Sequence, residues 1–268
     1  MVDLVGRLLP DELWVLFRRV VPPTEVKRPQ GGGRRRAGDR EALAAIIFVA
    51  TSGCTWRQLP PVFGPCWQTV YRRFAQWSQA RVWGRLHRVL LDELGARGEL
   101  DWSRCAIDSV SLRAAKGALT GPNPTDRGKL GSKIHLITGR NGLPLSLGIS
   151  GANVHDSQGL QPLVRGIPPI CSRRGPRRRR PARLHAGKGY DYDHLRRWLR
   201  SRGIRHRIAR KSVKSSERLG RHRWVVERTV SWLAGCRRLH RRYERTAEYF
   251  LSFVGIAAVL ICHRRLTQ

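Results

Sequence analysis

Across 268 residues the chain carries 52 Lys and Arg against 19 Asp and Glu, a formal net charge of +33, with 41% hydrophobic residues. That apolar share is enough for a core and excludes wholesale disorder, and the length suits one large domain or two modest ones. A body this positive repels itself unless a polyanion offsets the charge, so the composition points to nucleic acid, with an anionic membrane surface as the rival partner. The longest apolar run, residues 251–262, is interrupted by Ser252 and is shorter than the ~20 residues a spanning helix needs. Residues 1–20 contain Asp3, Asp11, Glu12 and several Arg where a signal peptide would be apolar. The expectation is a soluble, cytoplasmic, nucleoid-associated protein with no membrane partner. The six cysteines are scattered with no Cys-x-x-Cys pair, which argues against a zinc ribbon and a disulfide framework.

In chain order, residues 1–98 read as short helices. Pro10-Asp11-Glu12 opens one with Leu13, Leu16, Phe17 and Val20 on a face. The Gly- and Arg-rich stretch 31–36 reads as a mobile loop. Asp39 is expected to cap a helix carrying Leu43, Ile46, Ile47 and Ala50, and a turn holds Trp56 and Leu59. A helix from Trp67 to Trp77 buries Val70, Phe74 and Trp77 and shows Gln68, Thr69, Arg72 and Arg73 on its polar side. A further helix carries Val82, Leu86, Val89, Leu90 and Leu94. A tight turn before a polar, Arg/Gln/Thr-bearing helix suggests a helix-turn-helix, whose second helix reads base edges in the major groove. An ordinary bundle with a solvated face is the alternative, and the net charge favours DNA binding.

From about residue 99 the texture changes to alternating strands and helices. Strands are expected over 104–110, 132–138, 143–150, 182–186 and 204–209, with Asn141-Gly142 as a type I′ hairpin turn. Asp156 is read as the cap of a short helix, and helices follow over 192–202, 222–233 and 246–265. Three strands with a hairpin, then helix, strand, helix, strand, helix, is the order of a ribonuclease-H-like mixed α/β sheet with flanking helices. The expected division is residues 1–98 as a helical DNA-binding domain and 99–268 as a catalytic domain.

A phosphodiester is activated by hard cations held by carboxylates, and acids are scarce here. Asp108 interrupts the apolar strand Cys105-Ala106-Ile107-Asp108-Ser109-Val110; a carboxylate buried there needs a cation or metal, whereas at a strand end it would face water. Glu227 sits beside an apolar helical stripe one turn beyond Arg223, where a plain surface ion pair is the competing account. The basic run 173–183, with Arg177, Arg178, Arg179 and Arg180, is suited to a DNA backbone or to generic polyanion contact. Lys133 and Lys188 are further candidate phosphate contacts.

Together, Ala106-Ile107-Asp108-Ser109-Val110, the run from His185 to Asp191, and Arg223-Trp224-Val225-Val226-Glu227-Arg228-Thr229 resemble bacterial insertion-sequence transposases with a DDE triad, of insertion-sequence family five in the four/five superfamily. Trp56-Arg57-Gln58-Leu59-Pro60, Tyr71-Arg72-Arg73-Phe74 and residues 128–135 add to the likeness, which covers nearly the whole chain. The resemblance implies Mg²⁺ (or Mn²⁺) as cofactor, strand cleavage and transfer on double-stranded DNA at terminal inverted repeats and a target, and a homodimer on DNA. It implies Asp108 and Glu227 as catalytic, metal-holding acids and Arg223 as a phosphate contact. The family's second acid falls on Gly187, which offers no carboxylate, so an impaired transposase is expected. A non-catalytic DNA-binding protein or repressor of transposition is the alternative, and an RNA-binding factor lacks its usual stacking motifs.

Overall fold

The computed structural model describes residues 3–23, 36–213 and 217–268, with backbone alone over 217–223. The expected mobile stretch falls outside the described residues except for Arg36, and the side chain of Arg223 also lies outside them.

The first half is helical: α1 (Leu4–Leu8), α2 (Asp11–Arg18), α3 (Asp39–Ser52), α4 (Trp67–Gln79) and α5 (Val82–Ala96). In α2, Asp11 and Glu12 stand in the first turn, where the helix dipole favours negative charge. The helix buries Leu13, Leu16 and Phe17. α3 is buried almost all round, through Ala42–Ile47, Val49 and Ala50, because small and aliphatic side chains let neighbouring helices close on every side. Gly38, not Asp39, is its N-cap. Asp39 is the first helical residue and takes ion pairs from Arg36 at 2.9 Å and Arg73 at 3.3 Å. The segment between α3 and α4 holds two 3₁₀ turns, Trp56–Gln58 and Pro61–Phe63. It is longer than the three or four residues of a helix-turn-helix corner. The tight corner lies instead between α4 and α5, where Arg81 adopts φ 53°.

The second half is a sheet of β1 (Cys105–Ala114), β3 (Leu130–Gly139), β4 (Pro144–Gly151), β5 (Arg183–Ala186) and β6 (Arg205–Ile208). Two short strands, β2 (Gly121–Pro122) and β7 (Arg241–Arg242), pair with β3 and β1 respectively. The main order is β4-β3-β1-β5-β6. β1, β3 and β4 are antiparallel, whereas β5 joins β1, and β6 joins β5, in parallel. That order, with helices α6 (Leu160–Gly166), α7 (Asp193–Ser201), α8 (Glu217–Ala234) and α9 (Ala247–Leu266) around it, is ribonuclease-H-like, as the order of elements predicts.

Two local expectations change. Asn141 does not adopt positive φ, while Gly142 does, at 85°. The Gly142 amide donates to the Gly139 carbonyl, and the Gly139 amide to that of Leu143. This is a three-residue hairpin closed by a left-handed glycine, not a type I′ turn. Before α6, the cap is His155, whose ring accepts from the Ser157 amide, and Asp156 is the first residue of a 3₁₀ turn.

α9 is 20 residues long and, by length and composition, apolar enough to cross a membrane. Two thirds of its apolar window is buried inside the protein, as expected of a core helix. Phe253 of α9 stacks on Phe74 of α4 at 4.6 Å, and α9 also packs along α5. One hydrophobic core therefore runs across the 98/99 boundary. Buried Arg238 reinforces this seam: it pairs with Glu244 at 2.8 Å and donates to the Cys54 carbonyl at 3.0 Å.

Candidate active site and nucleic-acid surface

β1 is the central strand, and its alternation decides where each polar side chain points. Residues directly opposite in an antiparallel pair share a face. Asp108 faces Leu136, which faces Leu147; Ser109 faces His135, and Ser111 faces Lys133. α6 lies over the Ser109 face, since Leu163 packs against Gly148 and Gly166 against the hydroxyl of Ser146. The Asp108 face is left to α8 and α9, which pack on the same strands.

Asp108 is half-buried within β1, and its Oδ1 accepts from the Ser109 amide at 3.0 Å. Ala106 pairs with His185 in the parallel β1–β5 register. Continued by two residues, that register sets Gly187 level with Asp108. Gly187 has φ −73° and ψ 177°, an extended backbone that any residue adopts. α8 packs against β1 and buries Val225, Val226, Thr229 and Leu233, leaving Glu227 exposed. The helix is fastened by Thr229 Oγ1, which donates to the Gly142 carbonyl at 2.7 Å.

Of the two acids nearest in sequence to position 187, Asp191 is committed elsewhere and Asp193 faces water. Asp191 accepts from Arg196 at 2.5 Å and from the Lys211 amide at 2.9 Å, and the Arg196 bond first among these holds its carboxyl below the usual range. Asp193 is exposed at the start of α7.

The Ser109 face carries a polar cluster that the search for acids inside apolar elements passes over. Asp156 accepts from the Lys133 ammonium at 2.8 Å and lies within hydrogen-bond reach of the Ser109 side chain. Burial pushes its carboxyl up, but the bonds from Lys133 and Ser109 outweigh that and hold it below the usual range. His135 donates to or accepts from Ser150 Oγ at 2.7 Å, and burial holds its imidazole low. The only hint in the sequence is an acid between His155 and Ser157 in a chain poor in acids.

The expected DNA contacts divide. Gln68 and Arg72 are exposed on α4. Thr69 is half-buried against the Cys66 thiol, and Arg73 closes on Asp39 with only 13% of its side chain exposed. Lys133 is likewise withdrawn: its ammonium is shared by Asp156 and the Val154 carbonyl, so it is not open to a phosphate. In the basic run, Arg177 pairs with Asp92 at 2.8 Å and Arg179 donates to the Arg165 carbonyl. Arg178 and Arg180 are exposed, as is Lys188 beside Gly187.

A transposase family model, "Putative transposase of IS4/5 family", matches residues 9–87, and "Transposase DDE domain" matches residues 101–262. The chain is 47% identical over 149 residues to "Putative transposase for insertion sequence element IS402" of Burkholderia cepacia, covering 56% of this chain and 71% of that protein. It is 41% identical over 112 residues to "Insertion element IS402 uncharacterized 16.2 kDa protein" of the same organism, covering 40% of this chain and 74% of that one. Among solved structures, "Crystal structure of the Mos1 Strand Transfer Complex" aligns with a TM-score of 0.32 and 11% identity, over 91% of this chain and 81% of that chain. The match over residues 101–262 places the mixed sheet and its flanking helices in the class of transposase DDE domains. The chain belongs to the DDE transposases of the IS4/5 family.

A DDE domain implies divalent metal. Among the described residues no group of three His, Cys, Asp or Glu side chains converges to hold an ion. Asp108 is half-buried in β1, and Asp191 is held by Arg196 and the Lys211 amide.

Proposed function

We propose that this chain binds double-stranded DNA at the terminal inverted repeats of an insertion element, through residues 1–98 and the exposed arginines, and that its strand cleavage is impaired. Residues 99–268 form the catalytic half in this reading, Asp108 and Glu227 are its two remaining acids, and Mg²⁺ or Mn²⁺ is the ion they serve. What supports the reading is the β1–β5 register, in which Ala106 pairs with His185 and which, continued two residues past that pair, sets Gly187 level with Asp108. Gln68 and Arg72 on α4, Arg178 and Arg180 in the basic run, and Lys188 supply phosphate and base contacts, and Arg223 precedes Glu227 by one turn. The homodimer is the assembly that would hold two element ends together. The same glycine favours a second reading, a non-catalytic repressor of transposition with the same DNA contacts.

The test is a mobility-shift titration of a terminal-repeat duplex against a scrambled duplex, paired with a Mg²⁺-dependent nicking assay of this chain and Gly187→Asp. Preference for the repeat, little nicking by the chain and clear nicking by Gly187→Asp support the proposal. Equal nicking by both chains refutes the impairment, and equal affinity for both duplexes refutes end recognition.

A further inference from the structure

At the end of the sheet where β1 begins, a cavity of about 660 Å³ is walled by the β3–β4 hairpin, α8 and the end of α9. Arg104, Arg140, Arg228, Arg264 and Arg265 line it together with the terminal Gln268, and no Asp or Glu side chain does among the described residues. Asp101 pairs with Arg140 and Glu99 with Arg265, so the neighbouring acids offset only part of this charge. Burial first, and then the charge of Arg140, pulls the Arg104 guanidinium below its usual pKa, so like charges are held together here. An anion seated between them would relieve that repulsion.

The wall contributed by α8 is aromatic. Trp224, Arg228 and Trp232 recur every four residues and form one stripe. The Arg228 guanidinium lies 4.5 Å from the Trp224 ring centroid and 4.7 Å from that of Trp232, and its Nη2 donates to the Asn141 carbonyl at 2.8 Å. Gly142 lets this ladder close on the hairpin, because an added Cβ would lie 3.0 Å from both the Trp232 ring and Arg228 Nη2. The Nε of Arg228 is buried without an acceptor. Trp224 is 48% exposed and Trp232 38%, so each keeps indole surface in water although the interior of the cavity is at hand. Flat aromatic faces interleaved with guanidinium groups suit a ligand that is itself alternately aromatic and anionic. A duplex hides its base faces, whereas an unpaired strand presents them.

We infer that this cavity binds single-stranded nucleic acid, with bases stacked on the outer faces of Trp224 and Trp232 and phosphates held by Arg104, Arg140 and Arg264. Arg104 precedes Asp108 by four residues, about 13 Å of extended chain, while Trp224 and Arg228 flank Glu227 in sequence on α8. This binding goes beyond the duplex contacts and does not depend on whether the chain cuts DNA.

Fluorescence anisotropy with a labelled oligothymidylate of about ten nucleotides, and with a random-sequence duplex as comparator, tests it on the full chain. Replacing both Trp224→Ala and Trp232→Ala is expected to weaken oligonucleotide binding about ten-fold or more while changing duplex binding less than about two-fold; Phe at both positions restores most of the loss. Unchanged oligonucleotide affinity, or an equal fall for both ligands, overturns the inference. Should the alanine pair fail to fold, photo-crosslinking of an oligonucleotide carrying 5-iododeoxyuridine to the unaltered chain decides. Adducts in the peptide holding 224 or 232 uphold the site, and adducts only elsewhere, or none, remove it.

Discussion

His87 joins the two halves of the chain, and its titration offers a quantitative handle on that seam. It lies on α5, is 8% exposed, and its Nε2 bonds to the Pro144 carbonyl at the start of β4, 2.9 Å away. Burial drives its imidazole down from 6.5 to about 4, the Pro144 carbonyl pulling weakly the other way. The unfolded chain therefore takes up this proton first as pH falls. The stability that neutral His87 confers is fully present above about pH 6.5, declines between 6.5 and 4, and is gone below about 4. At ~1.4 kcal/mol per pH unit, that interval corresponds to about 3 kcal/mol. Other histidines with lowered pKa act in the same direction, so a difference measurement is required. Gln at this position can still donate to the carbonyl and does not titrate. Urea denaturation of the chain and of His87→Gln between pH 7 and 4 is expected to show the original chain losing about 3 kcal/mol more. Parallel losses in the two chains would refute the reasoning.

Further outcomes follow from the packing. Glu244→Gln strands the buried Arg238 guanidinium and is expected to cost about 3–5 kcal/mol by urea midpoint, most of it recovered when Arg238→Met is added. Two glycines of α5 should respond oppositely to alanine. A Cβ at Gly95 would lie 2.1 Å from the Cys171 carbonyl, so Gly95→Ala destabilises by about 1–3 kcal/mol despite its better helix propensity. Gly84 is exposed with nothing within 4 Å, so Gly84→Ala raises stability by up to about 1 kcal/mol. Thermal melts of the two single variants check the contrast.

β1, β3, β5 and α9 fall where the apolar runs and the turn residues bounding them put them; β3 and α9 are buried nearly all round, so run length rather than a period marks them. Setting 187 level with 108 takes strand order and a two-residue continuation of the β1–β5 register, and a spacing argument cannot supply register. What escaped were features made by long-range contacts. Arg242 is fully buried, and its guanidinium donates to the Leu119 and Ala118 carbonyls and the Ser132 hydroxyl. Nothing local marks it out among the many arginines. Arg73 reads as a DNA contact on the polar face of its helix and Lys133 as a phosphate contact, yet each is claimed by an aspartate far away in sequence. The Asn141-Gly142 dipeptide fits a two-residue turn, while the pairing of Gly139 with Leu143 leaves three residues between the strands.

The central claim is that position 187 is the missing ligand beside Asp108. Mn²⁺ titration followed by electron paramagnetic resonance tests it most directly, on this chain, on Gly187→Asp and on Gly187→Asp with Asp108→Asn. Weak binding is expected of the first, binding at least about ten-fold tighter of the second, and loss of that gain in the third. Equal affinity in all three chains would contradict that claim.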